Sequence, residues 1–308
     1  MGKIAFVFPG QGAQHPGMGR GLYESNAAAR SIFEMAETIR PGIIDIIFNS
    51  SAEDLAKTVN TQPALFCVEL AAAAALTAAG ITPDCAAGFS LGEITALAVS
   101  GAVTAQDGMR IVTRRAQLMQ EASASAEASM AAVLRLDDGA VEKLCGEFQN
   151  VYPVNYNCPG QVTVSGAADE LASFCARVKE SGGRAMPLKV GGAFHSPFMK
   201  SAAEAFRAEL PSFDISAPGI PLYSNYTAEP YGEDRAEMLA SQICSPVLWS
   251  RTVSNMIKDG VGVFIEAGPG KVLSALISRV SDSVRVYNAE DPESLYKTVT
   301  EVQEYAQG

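Results

Sequence analysis

The sequence predicts an α/β protein with a hydrolase-like parallel-sheet core and a small inserted ferredoxin-like subdomain. Three observations predict it. Short apolar strands alternate with helical patterns in residues 1–126 and again in 192–308. Between them, residues 127–191 change to a β-α-β-β-α-β pattern. The segment Gly88–Gly92 joins an apolar strand to a helix through G-x-S-x-G, a turn used by α/β-hydrolases. The α/β domain is therefore predicted to be discontinuous, with the insert between its two parts.

The composition limits the classes of protein to consider. The chain has 308 residues, of which 48 % are hydrophobic and 19 % charged, and this is typical of a folded protein. A formal net charge of −11 argues against general affinity for nucleic acid or acidic membranes. The six cysteines form no C-x-x-C pair and are interpreted as reduced thiols. We therefore expect a cytoplasmic protein that binds neither nucleic acid nor membrane.

Apolar patterning predicts the elements of the first stretch. The longest apolar segment, Pro63–Ile81, contains Glu69 and five consecutive alanines, so we expect a buried core helix rather than a membrane span. The other predicted elements are strands at Ile4–Phe8 and Cys85–Gly88, helices at Leu91–Val99 and Gln106–Glu121, and a small-residue linker at Gln120–Ser125.

The insert and the last stretch are predicted in the same way. In the insert we expect strands at Met130–Leu136, Val151–Asn155, Val162–Ser165 and Ala185–Val190, and helices at Asp138–Gln149 and Ala167–Ser181. In the last stretch we expect a strand at Val261–Glu266, a turn at Gly268–Gly270 and a helix at Lys271–Val280.

Ser90 is the candidate nucleophile. The glycines on either side of it permit a sharp turn, and the turn places the serine hydroxyl at a helix N-terminus. Free backbone N–H groups and the helix dipole can stabilise negative charge there. The alternative is a simple strand–helix turn in which Ser90 only caps the helix.

A nucleophilic serine needs a base, and the chain has only two histidines. His195 lies in a glycine-rich turn before a predicted helix and is the better candidate, whereas His15 is interpreted as a loop residue bordering the site. No Asp or Glu between Ser90 and His195 lies at an obvious strand end of the α/β domain. The third member is either one of these acids or a backbone carbonyl that holds the imidazole N–H.

Two further segments are candidates for contacts with substrate. Arg114 and Arg115 point about 100° apart on one helix, so one can face the site and bind a carboxylate while the other forms a surface ion pair. The loop Pro9–Gln14 lacks the Lys-Ser/Thr ending of a phosphate loop. In it, glycine-flanked Gln11 either directs its N–H toward a reacting carbonyl or belongs to a tight turn.

Taken together, these segments resemble the malonyl-CoA:acyl-carrier-protein transacylases of type II fatty acid synthesis. The resemblance covers almost the whole chain. Its landmarks are Pro9–Gln14, Thr61–Ala64, Gly88–Glu93, Arg115 five residues before Gln120, Val154–Gln161, Gly192–His195, Ser245–Trp249 and Gly268–Lys271.

The resemblance implies a role for each candidate. Ser90 would carry the malonyl group and His195 would be its base. The N–H groups of Gln11 and Leu91 would form the oxyanion hole, and Arg115 would hold the malonyl carboxylate. The carbonyl of Leu248 would orient His195. The resemblance also implies that substrate is bound by Phe194, Gln62, Asn157 and Phe89.

Two positions depart from the common pattern of this family. Leu248 stands where glutamine is frequent, and Phe89 stands where histidine often precedes the serine. Neither change removes the nucleophile or the base. Phe194 is bulky and is expected to disfavour a 2-methyl group modestly, because one methyl is worth only about 1–3 kcal/mol.

The implied partners are malonyl-CoA and acyl carrier protein, with coenzyme A entering only as the thioester and with no cofactor or metal. Carrier docking would need a local cationic patch, for which Arg184, Lys189, Lys200 and Lys271 are candidates. Three other hypotheses for the function stay open: a serine thioesterase or hydrolase, a polyketide-type loading acyltransferase, and a module that only binds acylated carrier protein. The missing acid and the candidate carboxylate-binding arginine count against the hydrolase.

Overall fold

A computed structural model describes residues 2–125, 127–188 and 190–307. Its main sheet is five-stranded and entirely parallel. The strands are β1 (Lys3–Phe8), β2 (Cys85–Gly88), β7 (Leu222–Tyr223), β8 (Val261–Ala267) and β9 (Arg285–Ala289). Their order across the sheet is β7-β2-β1-β8-β9. β1 is the central strand, and its parallel register with β2 places Phe8 opposite Gly88. The loops after β1 and β2 therefore leave the same edge of the sheet side by side. Sites in parallel α/β sheets form at this carboxyl edge.

Helices cover both faces of the main sheet. They are α1 (Arg20–Ser25), α2 (Ala27–Ile39), α3 (Ile43–Asn49), α4 (Ala52–Leu55), α5 (Thr58–Ala78), α6 (Gly92–Val99), α7 (Ala105–Ser123), α10 (Lys200–Glu209), α11 (Arg235–Ser241), α12 (Trp249–Lys258), α13 (Val272–Val280) and α14 (Pro292–Gln307). Side chains of β1 alternate between two cores: Phe6 and Phe8 enter the core with α5 and α6, while Val7 enters the core with α12 and α13. Both faces of the sheet are therefore buried, as expected for parallel strands.

The insert forms a second sheet of four antiparallel strands. Its elements are β3 (Ala128–Leu134), α8 (Asp138–Cys145), β4 (Val151–Cys158), β5 (Gln161–Ala167), α9 (Ala168–Glu180) and β6 (Arg184–Leu188). Their order along the chain is the predicted β-α-β-β-α-β, and the strand order across the sheet is β4-β5-β3-β6. The insert has its own core, with Val162 and Phe174 among its fully buried residues. The exact domain boundaries, at 126 and 191, stay a prediction.

Helix α5 is the apolar segment singled out in the sequence. Within the described residues it alone is long and apolar enough to cross a membrane by length and composition, but 83 % of its most apolar window is buried inside the protein. It contacts α2, α6 and α7 and shows almost no amphipathic character because apolar neighbours surround it. It is the predicted core helix.

Several predicted boundaries are wrong. Gln120–Ser123 is not a linker but the last turn of α7, because Ala122 packs into the core and Ser123 bonds back to the Met119 carbonyl. Helix α8 begins at Asp138 as predicted, where Asp137 caps it by accepting from the N–H of Ala140 at 2.7 Å, but it ends at Cys145, four residues early. Local composition does not show which small residues will be buried.

Candidate active site

The turn after β2 has the geometry of a nucleophile elbow. Ser90 has a φ of 56°, which is left-handed backbone that a residue with a side chain rarely adopts. A Cβ on Gly88 would lie 1.9 Å from the Gly92 carbonyl carbon, and one on Gly92 would lie 2.2 Å from the Phe8 carbonyl oxygen. Both positions therefore require glycine, and the strain at Ser90 places its side chain at the start of α6.

His195 lies beside the serine. Its Nε2 is 2.7 Å from Ser90 Oγ, and its Nδ1 is 2.8 Å from the backbone carbonyl of Gln242. A carbonyl only accepts, so Nδ1 carries the proton and Nε2 is the atom that accepts from the Ser90 hydroxyl. Burial and the nearby charge of Arg115 lower the pKa of His195 to about 4. The imidazole is therefore neutral at pH 7 and able to take the serine proton.

The prediction that the carbonyl of Leu248 orients His195 is wrong, because another residue supplies this carbonyl. The Leu248 carbonyl accepts from the N–H of Thr252 at 2.9 Å in the first turn of α12, and the His195 Nδ1 bonds to a different carbonyl. The backbone carbonyl that replaces the acid is that of Gln242, in a 3-10 turn at Gln242–Cys244, seven residues before Trp249 at the start of α12. The kind of group was predicted, but its position was not.

Arg115 is the arginine that faces the site. Its side chain is fully buried, with Nη2 3.2 Å from Ser90 Oγ and 2.7 Å from Gln242 Oε1, while Nη1 donates to Gln62 Oε1 at 2.8 Å. Burial lowers its pKa to about 10, which leaves it cationic at pH 7. Arg114 forms a surface pair with Glu209 at 2.7 Å. The structure thus settles which of the two arginines lies near the serine.

A cavity of about 90 Å³ opens above the serine. It is lined by Gln11, Phe89, Ser90, Met130, Asn155, Leu188, Val190, Phe194 and His195. The insert therefore contributes one wall through β3, β4 and β6. The backbone N–H groups of Gln11 and Leu91 donate to no acceptor within the described residues, so a bound group can accept from them.

The remaining predicted residues lie close to this cavity but not all in it. Asn157 lines an adjoining groove of about 180 Å³ together with Gln11 and Phe89, and its Nδ2 donates to Thr163 Oγ1 at 3.1 Å. Phe89 belongs to both spaces and packs edge-on against Trp249. Gln62 does not line the cavity; it holds Arg115.

Asn225 is a functional residue that sequence reasoning missed. Its Oδ1 accepts from the backbone N–H of Ser90 at 2.6 Å, and its Nδ2 donates to the Gly88 carbonyl at 2.5 Å. These bonds hold the strained turn from both sides. Asn155, whose buried Oδ1 has no partner among the described residues, was also missed, although it is only two residues from Asn157. Asn225 lies in none of the motifs described above, whereas Asn155 lies within the landmark Val154–Gln161.

The three described members of the predicted cationic patch do not line the cavity above Ser90. Arg184 is exposed on β6, Lys200 is exposed near Glu204 at 3.8 Å, and Lys271 lines a cleft with several acidic residues. Lys189 lies outside the described residues. A docking patch made of these side chains stays a prediction.

Comparison with known proteins decides the family. The family model of the acyl transferase domain matches residues 5–304 of this chain. Malonyl CoA-acyl carrier protein transacylase of Bacillus subtilis (strain 168) is 42 % identical over 314 residues, which cover 99 % of this chain and 98 % of the relative. The chain belongs to the malonyl-CoA:acyl-carrier-protein transacylase family. It is an acyltransferase, and the resemblance read from its motifs is confirmed.

Solved structures of this family share the whole fold. The transacylase of Clostridium perfringens has a TM-score of 0.95 at 36 % identity and covers 99 % of this chain and 98 % of its own. A transacylase solved in complex with a type II PKS acyl-carrier protein has a TM-score of 0.94 at 31 % identity, covering 97 % of this chain and 99 % of its own. The predicted α/β fold class is therefore confirmed at the level of the whole chain.

Proposed function

We propose that this enzyme transfers a malonyl group from malonyl-CoA to the phosphopantetheine thiol of acyl carrier protein, through a malonyl ester on Ser90. One observation carries the proposal: Ser90 Oγ lies between a neutral histidine and a buried arginine, 2.7 Å from His195 Nε2 and 3.2 Å from Arg115 Nη2. A base on one side and a carboxylate receptor on the other are what a malonyl thioester needs.

The first half-reaction forms the ester. His195 Nε2 takes the hydroxyl proton while Ser90 Oγ attacks the thioester carbonyl. The negative charge that develops on the carbonyl oxygen is stabilised by the N–H groups of Gln11 and Leu91, helped by the N-terminus of α6. The C–S bond then breaks, and the proton held by His195 passes to the thiolate of coenzyme A.

The second half-reaction is the same chemistry in reverse. The carrier's pantetheine thiol gives its proton to His195 and attacks the Ser90 ester, and the serine leaves with that proton. The scheme uses coenzyme A only as part of the substrate and asks for no further cofactor. We assign the reaction to fatty acid synthesis, in keeping with the names of its relatives. We place it in the cytoplasm because the six cysteines are free thiols, which are typical of a reducing compartment.

Arg115 supplies the selectivity for malonyl over acetyl. A guanidinium binds a carboxylate through paired hydrogen bonds, and in a buried site this pairing is strong. An acetyl group would leave the cation without this partner. Phe194 lines the cavity above Ser90 and limits the room beside the α-carbon of a bound acyl group.

The experiment that tests this function measures transfer to the carrier. Enzyme, malonyl-CoA and holo acyl carrier protein are mixed, and the intact mass of the carrier is followed with time. We expect the carrier to gain one malonyl group at a rate proportional to enzyme concentration, with acetyl-CoA as a poor substitute. Accumulation of free malonate with no gain on the carrier would instead indicate a hydrolase.

On the acid side, the pH at which activity falls should be unusually low. His195 is neutral above its pKa of about 4, so loading of malonyl-CoA should persist well below pH 6.5, where an ordinary histidine is half protonated. Stopped-flow loading rates measured from about pH 4 to pH 6.5 check this. A rate that halves near pH 6.5 would contradict it.

Unfolding must be measured in parallel. Between pH 6.5 and about 4 the unfolded chain protonates His195 and the folded chain does not. This group therefore destabilises the fold as pH falls through that window, by up to about 3 kcal/mol. Thermal unfolding at each pH separates this loss from loss of catalysis.

A further inference from the structure

A buried carboxyl group lies behind the arginine of the acyl site. Glu93 is on α6, three residues after Ser90, and is fully buried. The side-chain amide of Gln242 joins it to Arg115: Nε2 donates to Glu93 Oε2 at 3.1 Å, and Oε1 accepts from Arg115 Nη2 at 2.7 Å. A buried carboxyl group is unfavourable unless it is paired. No step of the proposed transfer uses Glu93.

The partners of Glu93 are those of a carboxylate. Tyr231 Oη donates to Oε1, the backbone N–H of Asn225 donates to Oε2 at 3.0 Å, and Gln242 Nε2 is the third donor. Within the part of the chain that the structure describes, the Glu93 carboxyl group has no hydrogen bond to a carbonyl, so of its three partners only the Tyr231 hydroxyl could accept a hydrogen bond from a neutral acid. In the ligand-free structure, Glu93 is therefore arranged as the anion that balances Arg115.

We propose that Glu93 is the resident counter-ion of Arg115 and takes up one proton when a malonyl carboxylate binds the guanidinium. The inference rests on the proposed function, because it needs a substrate with a carboxylate. Without proton uptake, two anions would share one buried cation, and the site would hold a net negative charge in a low dielectric. The proton comes from the buffer and converts the carboxylate to the acid, with no other bond changed.

Among the titratable groups around this site, Glu93 is the one that can change its charge. Arg115 on α7 stays cationic, and burial and the charge of Glu93 raise the pKa of the Tyr231 phenol well above its usual range. Burial raises the pKa of Glu93 to about 7, against the lowering effect of its three donors and of Arg115. Glu69 on α5 bonds to Thr95, which points to the opposite side of α6 from Glu93. His195 is neutral, as described above.

The consequence is a selectivity that depends on pH. A ligand whose binding is linked to proton uptake binds more weakly as pH rises through the pKa of the group concerned. Acetyl-CoA has no carboxylate and feels no such effect. The ratio of kcat/KM for malonyl-CoA loading to that for acetyl-CoA loading should therefore fall as pH rises above about 7, at up to roughly tenfold per pH unit. The ratio cancels effects on the base, the nucleophile and the fold.

The test compares this ratio in the wild type and in Glu93→Gln from about pH 6 to pH 9. We expect a falling ratio in the wild type and a flat one in Glu93→Gln. Glu266→Gln is the matched control, since Glu266 is equally buried but accepts from Leu273 and Ser274 at the start of α13; it should keep the wild-type slope. Malonyl loading with a flat ratio in the wild type would overturn the inference and leave the proposed function standing.

A second variant makes the test independent of how Glu93→Gln folds. Tyr231→Phe removes one donor to the carboxylate while keeping the ring, so it should raise the pKa of Glu93 and move the fall in the ratio to higher pH. If the ratio in this variant falls at the same pH as in the wild type, Glu93 is not the titrating group. If the wild type loads no malonyl at any pH, the proposed function itself fails.

Discussion

Ser90→Ala is expected to abolish malonyl loading and to lower kcat for transfer to the carrier by about 10⁴-fold or more. The reason is that the covalent route has no other acceptor: Ser90 Oγ is the hydroxyl bonded to His195 Nε2, and its removal leaves the base with nothing to activate. Intact mass after brief incubation with malonyl-CoA checks the loading, and a carrier assay checks the rate.

The matched control for this change is Ser100→Ala. Ser100 is also a buried serine at an end of α6, but its hydroxyl bonds only to the Leu97 carbonyl of the same helix. We expect it to load malonyl at the wild-type level. A malonyl adduct of undiminished yield on Ser90→Ala would show that another residue carries the acyl group.

Arg115→Ala is expected to lower kcat/KM for malonyl-CoA by roughly 10³-fold, since breaking a buried ion pair costs about 3–5 kcal/mol. The effect on acetyl-CoA should be far smaller, because acetyl makes no use of the guanidinium. Malonyl selectivity is therefore lost while the dyad of Ser90 and His195 stays in place. Loading rates with the two thioesters, measured side by side, check the prediction.

Arg114→Ala is the control on the same helix. It removes a neighbouring guanidinium that pairs with Glu209 at the surface, so both loading rates should stay near those of the wild type. An equal loss for malonyl and acetyl in Arg115→Ala would indicate a general structural role for this arginine. Thermal unfolding of both variants separates that case from loss of a carboxylate receptor.

The elements that sequence reasoning could place are those with a local signal. Ser90 lies in a short motif between a strand and a helix, and His195 was found because the chain has only one other histidine. The two arginines could not be told apart from periodicity, since helical spacing separates them but does not orient the helix. The family resemblance and then the fold made that choice, by burying Arg115 against Ser90.

The residues that were missed act over long distances along the chain. Gln242 forms hydrogen bonds with Ser90, His195 and Arg115, which are 152, 47 and 127 residues away in the sequence. Asn225 forms a hydrogen bond with Ser90, 135 residues away. Nothing in the neighbouring residues marks either side chain. The error at Leu248 has the same origin, because the resemblance points to the carbonyl before Trp249, and only the packed structure shows that the carbonyl of Gln242, outside the Ser245–Trp249 landmark, reaches His195.

The most direct test of the account follows one malonyl group from enzyme to carrier. Wild-type enzyme is loaded with malonyl-CoA, freed of excess substrate, mapped by peptide mass, and then mixed with holo acyl carrier protein alone. The account predicts one malonyl group on the peptide that contains Ser90 and its stoichiometric appearance on the carrier thiol. Malonyl on a different peptide, or an adduct lost to water at the same rate with and without the carrier, would contradict it.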